Sequence, residues 1–122
     1  MKRGQALSAD EQTTISDLRR CIADFIRDRD WEQFHDPKNL SMAIATEAAE
    51  LMEHFRWVKN DDALNYLVDP HNRAEVTDEL ADILAFILSF ANATGIDLST
   101  ALRNKMDKNI RKYPADQYKG RY

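Results

Sequence analysis

Residues Val76 to Ala93 form the most apolar stretch of the chain, and the stretch is apolar nearly all round a helix: Leu80, Ile83, Leu84, Phe86, Ile87, Leu88 and Phe90 point in every direction. A helix of that kind has to be covered on all sides, so it becomes the centre of a helical assembly rather than a surface element. It opens after Asn72-x-x-Glu75, which has the donor and acceptor chemistry of a capping box, and it closes at Gly95, the residue type that ends helices in the left-handed conformation. The longest apolar run, near Ile83 to Ala91, is too short to span a bilayer, so no membrane partner is expected.

The rest of the chain supplies helices to cover this one. With only 3 Gly and 3 Pro in 122 residues, few turns are available and long helices are favoured over many short strands. A first helix opens at the capping box Ser8-x-x-Glu11, carries Ile15, Leu18, Ile22, Phe25 and Ile26 on one face, and stops before Trp31. The Asp36-Pro37 step then breaks the chain, Asn39 caps, and Leu40 to Val58 shows Leu40, Ile44, Leu51, Phe55 and Val58 at helical spacing. Residues 59–71 read as a loop with one short helical turn, a small apolar patch at Leu64, Tyr66, Leu67 and Val68, and a reset at Pro70. Asp97 caps a last helix through about Lys112, Tyr113-Pro114 stops it, and 115–122 reads as a flexible tail. The expectation is an all-α, four-helix antiparallel bundle forming one domain over 1–122, with its core at about 8–114. The central helix offers more apolar surface than one four-helix layer covers, so a homo-oligomer is expected, a tetramer ahead of a dimer.

Charge narrows the partners. The net charge is −4, but residues 103–122 hold seven Lys/Arg against two Asp, net +5, which leaves −9 for residues 1–102. An acidic body argues against a general binder of nucleic-acid polymers. The single cysteine, Cys21, cannot form an intramolecular disulfide, and the first residues turn polar before any apolar leader develops. A cytoplasmic location is expected.

The acidic residues are not scattered. Taking Leu40 as the origin and about 100° per residue, Glu47 falls at about 340°, between Leu51 and Ala43, so a carboxylate sits on the apolar stripe of the second helix. Glu50, one turn on, converges with it at the stripe's edge. Glu79 and Asp82 repeat the spacing on the flank of Val76, Leu80, Ile83 and Ile87, with Phe86 one turn beyond Asp82 on the same side. Four carboxylates from two neighbouring helices cannot all stay ionised beside a core without a cation or raised pKa values. Oxygen-only donors suit Mg²⁺, with Mn²⁺ a possible substitute, better than zinc. Glu53 falls on the solvent side, within reach of the rim.

Polar residues also interrupt the last helix, where Lys105 and Asn109 share a stripe with Leu98 and Leu102. Beside a phosphorylated ligand they would supply an ammonium charge and a paired donor and acceptor; otherwise Lys105 extends to the rim and Asn109 bonds backbone. Trp31 and His35 lie between the first two helices and Trp57 ends the second. Aromatic rings beside a cation site can stack a base, although closing the ends of a bundle is their commoner role. A di-iron bundle would need Glu-x-x-His from two helices, and only Glu32-x-x-His35 occurs. The alternative from another class is a non-enzymatic acidic helical interaction module, which would tolerate Glu47→Gln.

Taken in order, RDWEQFHDPKNL (29–40), EAAELMEHFRW (47–57), DELADIL (78–84), GIDL (95–98) and KMDKNIRKYP (105–114) resemble the MazG-like nucleotide pyrophosphohydrolases of the all-α NTP pyrophosphatase group, especially the dCTP pyrophosphatase branch. The resemblance runs from about Leu18 to Pro114. Its signature is Glu-x-x-Glu, a variable gap, then Glu-x-x-Asp: here Glu47-x-x-Glu50, 28 residues, then Glu79-x-x-Asp82. The resemblance implies Mg²⁺-dependent hydrolysis of a (deoxy)nucleoside triphosphate, dCTP or a C5-modified dCTP, to the monophosphate and pyrophosphate. It implies metal binding and catalysis by those four acids, a catalytic and substrate-binding role for Lys105, and a nucleotide pocket of Trp31, His35, Trp57, Phe86 and Asn109. Members often carry Tyr where Phe86 stands, and that hydroxyl is absent here.

Overall fold

The computed structural model describes residues 6–121, so residues 1–5, part of the polar start read above, and residue 122 lie outside it. The described residues form helices and turns, with no strand among them. In chain order the helices are α1 (Ala9–Gln12), α2 (Ile15–Asp28), α3 (Pro37–Phe55), α4 (Ala63–Tyr66), α5 (Pro70–Thr94), α6 (Leu98–Lys112) and α7 (Ala115–Tyr118). The all-α expectation holds.

The boundaries follow capping chemistry more closely than the apolar pattern did. The first expected helix is two: Ser8 caps α1, then Thr14 and Asp17 form a reciprocal capping box that starts α2 afresh. Pro37 and Pro70, read as breaks, are instead first-turn residues of α3 and α5, where a missing N–H costs nothing. Their caps are Asp36, which accepts from Asn39 N at 2.9 Å, and Asp69, which accepts from His71 N at 2.8 Å. At its other end α5 closes as expected, on Gly95 in the left-handed conformation (φ 72°). Asp97 likewise caps α6 through Thr100 N at 2.9 Å. The segment read as a flexible tail carries the one-turn α7, with Tyr113 and Tyr118 edge to face at 5.2 Å.

The core is the packing of α3 and α2 against α5. Ile26, Leu40, Leu88 and Ala91 are its buried apolar residues among the described residues. The fourth main helix departs from the antiparallel arrangement within one chain: α6 leaves α5 at 103° and lies along none of the other three. Nothing on α6 is fully buried, and Leu102 and Ile110 stand open on its surface. Its stripe is broken by Lys105 and Asn109, so it has no continuous apolar face to lay on α5. No single helix is long and apolar enough to cross a membrane.

A candidate metal and nucleotide site

The site begins with the pairing of α3 and α5, the most extensive helix pairing in the fold. Three residues apart on each helix, the acids emerge on adjoining turns. Carboxylate oxygens of Glu47, Glu50 and Glu79 all lie within 4.8 Å of one another. Asp82 stands outside that set but close enough for its charge to act on both Glu47 and Glu79. Glu47 and Glu79 are half-buried and Glu50 is exposed, so the cluster is sealed on the helix side and open on the other.

Its electrostatics are those of a crowded anionic site. The Glu47 carboxyl is pushed up to about 7, first by burial, then by hydrogen bonding to Glu79 and Glu50, then by the charges of Glu50 and Asp82. The Glu79 carboxyl is also raised, burial again first, with contact to Glu50 adding and contact to Glu47 opposing. Both shifts have the same physical origin, burial of neighbouring negative charges on two packed helices. Even so, one oxygen of each, Oε2 of Glu47 and Oε2 of Glu79, is sealed from solvent without a hydrogen-bond partner. Buried carboxylate oxygens are seldom left this way. An all-oxygen donor set with two orphaned atoms fits a hard divalent cation.

On the open side, Glu50 and Glu79 share a cavity of about 500 Å³ with Glu53, His54 and Tyr66. The Tyr66 hydroxyl meets His54 Nδ1 at 3.1 Å. Glu53 therefore reaches the rim, and Tyr66 joins a site for which the sequence offered only an apolar patch in a loop.

On the α2 side, Asp82 also borders a cavity of about 440 Å³ lined by Phe25, Trp31, His35, Phe86 and Ser89 among others. The end of α2 builds this wall. Asp30 adopts the left-handed conformation (φ 53°), and Trp31 N reaches back to Ile26 O at 3.0 Å. This helix-terminating turn folds Trp31 over Phe25, edge to face at 5.9 Å. His35 is fixed by Nδ1 against Trp31 O at 2.7 Å. A carbonyl only accepts, so Nδ1 carries the proton and Nε2 of the neutral ring is an acceptor.

Of the residues singled out in the sequence, Glu47, Glu50, Glu79 and Asp82 gather at one place, and Trp31, His35 and Phe86 line the adjoining cavity. Trp57 does not join them. It is 85% exposed beneath the Arg56 guanidinium, and α3 separates it from Trp31 by about 28 Å of helix. Lys105 and Asn109 are on α6, outside both cavities, and among the described residues the Asn109 side-chain amide meets only Met106 Sδ, at 3.8 Å. Glu32 neighbours His35 in a short 3₁₀ turn rather than on a helix.

In this all-α fold, carboxylates from two helices that could hold a metal ion open beside an aromatic slot. The chain belongs to the MazG-like family, whose sequence profile matches residues 42–121. It is 39% identical over 113 residues to dCTP pyrophosphatase 1 of Bos taurus and 40% identical over 104 residues to that of Homo sapiens. These alignments take in 93% and 85% of this chain, and the chain spans 67% and 61% of those relatives. The crystal structure of a pyrophosphatase from Archaeoglobus fulgidus DSM 4304 superposes with a TM-score of 0.75 at 33% identity, covering 93% of this chain and 99% of that one.

Proposed function

We propose that this chain is a Mg²⁺-dependent nucleoside triphosphate pyrophosphohydrolase that converts dCTP or a C5-modified dCTP to the monophosphate and pyrophosphate. The observation that carries the reading is the shared border at Asp82: the carboxylate cluster and the aromatic cavity adjoin, as a ligand with phosphates at one end and a base at the other requires. The names of the similar proteins, dCTP pyrophosphatase 1 and a pyrophosphatase, support it.

Glu47, Glu50, Glu79 and Asp82 would hold the ion. When bound there, Mg²⁺ supplies charge neutralisation for the triphosphate oxygens and acidity for water. The chain's own part is positioning and proton transfer. One carboxylate of the cluster takes the proton of the attacking water, and the rigid α3–α5 pair keeps acids and phosphate in register. Trp31 and Phe86 flank the base, and the Nε2 acceptor of His35 favours a base that offers an amine over one that offers a carbonyl. In a panel of canonical dNTPs and NTPs with Mg²⁺, dCTP is therefore expected to exceed dTTP and dUTP in kcat/KM by tenfold or more, on the rejection expected when a buried polar group is left unmatched. Equal rates for all pyrimidines would reject base recognition in this slot.

Lys105, Asn109 and Trp57 line neither cavity within one chain, and we tie their roles to a homo-oligomer in which a second copy brings them to the nucleotide. The isolated chain exposes 10193 Å², where a folded monomer of this mass exposes about 6,700 Å². The excess includes Phe34, Met52, Leu80, Leu102 and Ile110, each more than half exposed. Light scattering should give the mass of a tetramer, or at least a dimer. A stable species of 14.1 kDa would overturn this part.

A further inference from the structure

Ser89 is the one polar side chain, among the described residues, that the fold buries: it is 4% exposed, on the most apolar helix of the chain. It lies beside α2 residues, Ile26 among them. There it lines both the cavity that holds Trp31 and Phe86 and a second one of about 370 Å³ bordered by Arg27, Glu32 and Asn92. His35 and Ile26 are common to the two.

The hydroxyl makes no side-chain hydrogen bond among the described residues and lines both cavities. Three helix threonines return their proton to the carbonyl one turn back, Thr46 to Met42 at 2.9 Å, Thr77 to Arg73 at 2.7 Å and Thr94 to Phe90 at 2.7 Å. Ser89 makes no such bond among the described residues, and its Oγ, unlike Oε2 of Glu47 and of Glu79, is not sealed in the protein but opens to the cavities it lines. Both its donor and its lone pairs are available to whatever fills the cavity.

We infer that Ser89 is a base-contacting residue, its hydroxyl bonding the in-plane edge of a nucleobase that carries an exocyclic amine; this rests on the nucleotide reading above. The amine has two N–H bonds to give. His35 Nε2, fixed as an acceptor by the bond from Nδ1 to Trp31 O, takes one, and the Ser89 oxygen takes the other. A ring carbonyl in the same place would set its lone pairs against those of His35. The serine adapts to either, so it strengthens binding of the base while His35 sets the choice.

The test is calorimetric titration of dCMP and, separately, of inorganic tripolyphosphate in Mg²⁺, into wild type, Ser89→Ala and Ser89→Cys. The Kd for dCMP should rise about 3- to 10-fold in both variants, the usual worth of one hydrogen bond, because a thiol fills the space but bonds weakly. The affinity for tripolyphosphate, which has no base, should stay within about twofold. Unchanged dCMP binding in Ser89→Ala, or full recovery in Ser89→Cys, would show that Ser89 serves only as a small residue between α2 and α5, and would overturn the assignment alone. A wild-type protein that binds tripolyphosphate but not dCMP would overturn the nucleotide reading and this inference together.

Discussion

Glu47→Gln should abolish turnover, by at least about a hundredfold, while raising the melting temperature of the metal-free protein. The loss follows from removing one charge and one oxygen from a donor set, a larger change than the outer-sphere substitutions that already cost 10- to 100-fold. The gain has a separate origin. Glu47 is half-buried with one oxygen sealed and unpartnered among three other acids. A neutral amide of the same shape relieves both the desolvation and the repulsion. A rise of a few degrees is expected, the equivalent of about 1 kcal/mol in a domain this small. An acidic interaction module with the same cluster would show the rise in melting temperature but not the first effect, having no turnover to lose. Retained activity in the variant would remove Glu47 from the site.

The second large effect is the response to chelator, and its size depends on pH. The Glu47 carboxyl titrates at about 7 in the folded chain against an ordinary value of 4.5. Between these values the folded form holds more protons than the unfolded form, so stability falls as pH rises. The contribution of this group is complete below about 4.5 and is lost through about 7. Glu79, also raised, acts in the same direction. Asp17 and Asp97, lowered chiefly by hydrogen bonds from the Thr14 and Thr100 backbones, act only below about 3.8 and leave this window clear. Metal-free protein should therefore melt lower at pH 8 than at pH 5.5. Mg²⁺ reverses the trend, because it binds the deprotonated acids. At a hundredfold excess over Kd it adds about 2.7 kcal/mol, or roughly 10 °C for a domain of this length. The gap between magnesium and chelator should be wide at pH 8 and nearly closed at pH 5.5. Melting curves at fixed protein concentration that coincide at pH 8 would exclude a shared cation.

The four acids were legible in the sequence because each pair sits one helical turn apart on the edge of an apolar stripe, and both stripes had to meet in the core. Trp31 and Phe86 were legible as aromatics but not as neighbours, since the turn at Asp30 that folds Trp31 over α2 has no glycine to announce it. The direction of α6 was beyond sequence reasoning for a different reason. Its elbow is fixed by Arg19, 73 residues away from Asn92, which it bonds at 2.9 Å while also capping Ala91 O at 3.0 Å and Ile96 O at 2.7 Å. Asn92 returns a bond to Arg19 O at 3.0 Å. Long-range polar bonds of this kind leave no periodic trace. Ser89 carried a signal, a lone hydroxyl in an apolar run four residues after Ala85, but its meaning depends on a cavity that only the packing of α2 on α5 creates.

Phosphorus NMR of dCTP incubated with Mg²⁺ and either wild type or Glu47→Gln tests the central claim most directly, because it reads which bond is broken and whether the acid cluster is needed. Wild type should convert the three nucleotide signals to those of dCMP and pyrophosphate, and the variant should leave dCTP intact. Release of dCDP and phosphate, or equal conversion by the variant, would contradict a pyrophosphohydrolase built on Glu47, Glu50, Glu79 and Asp82.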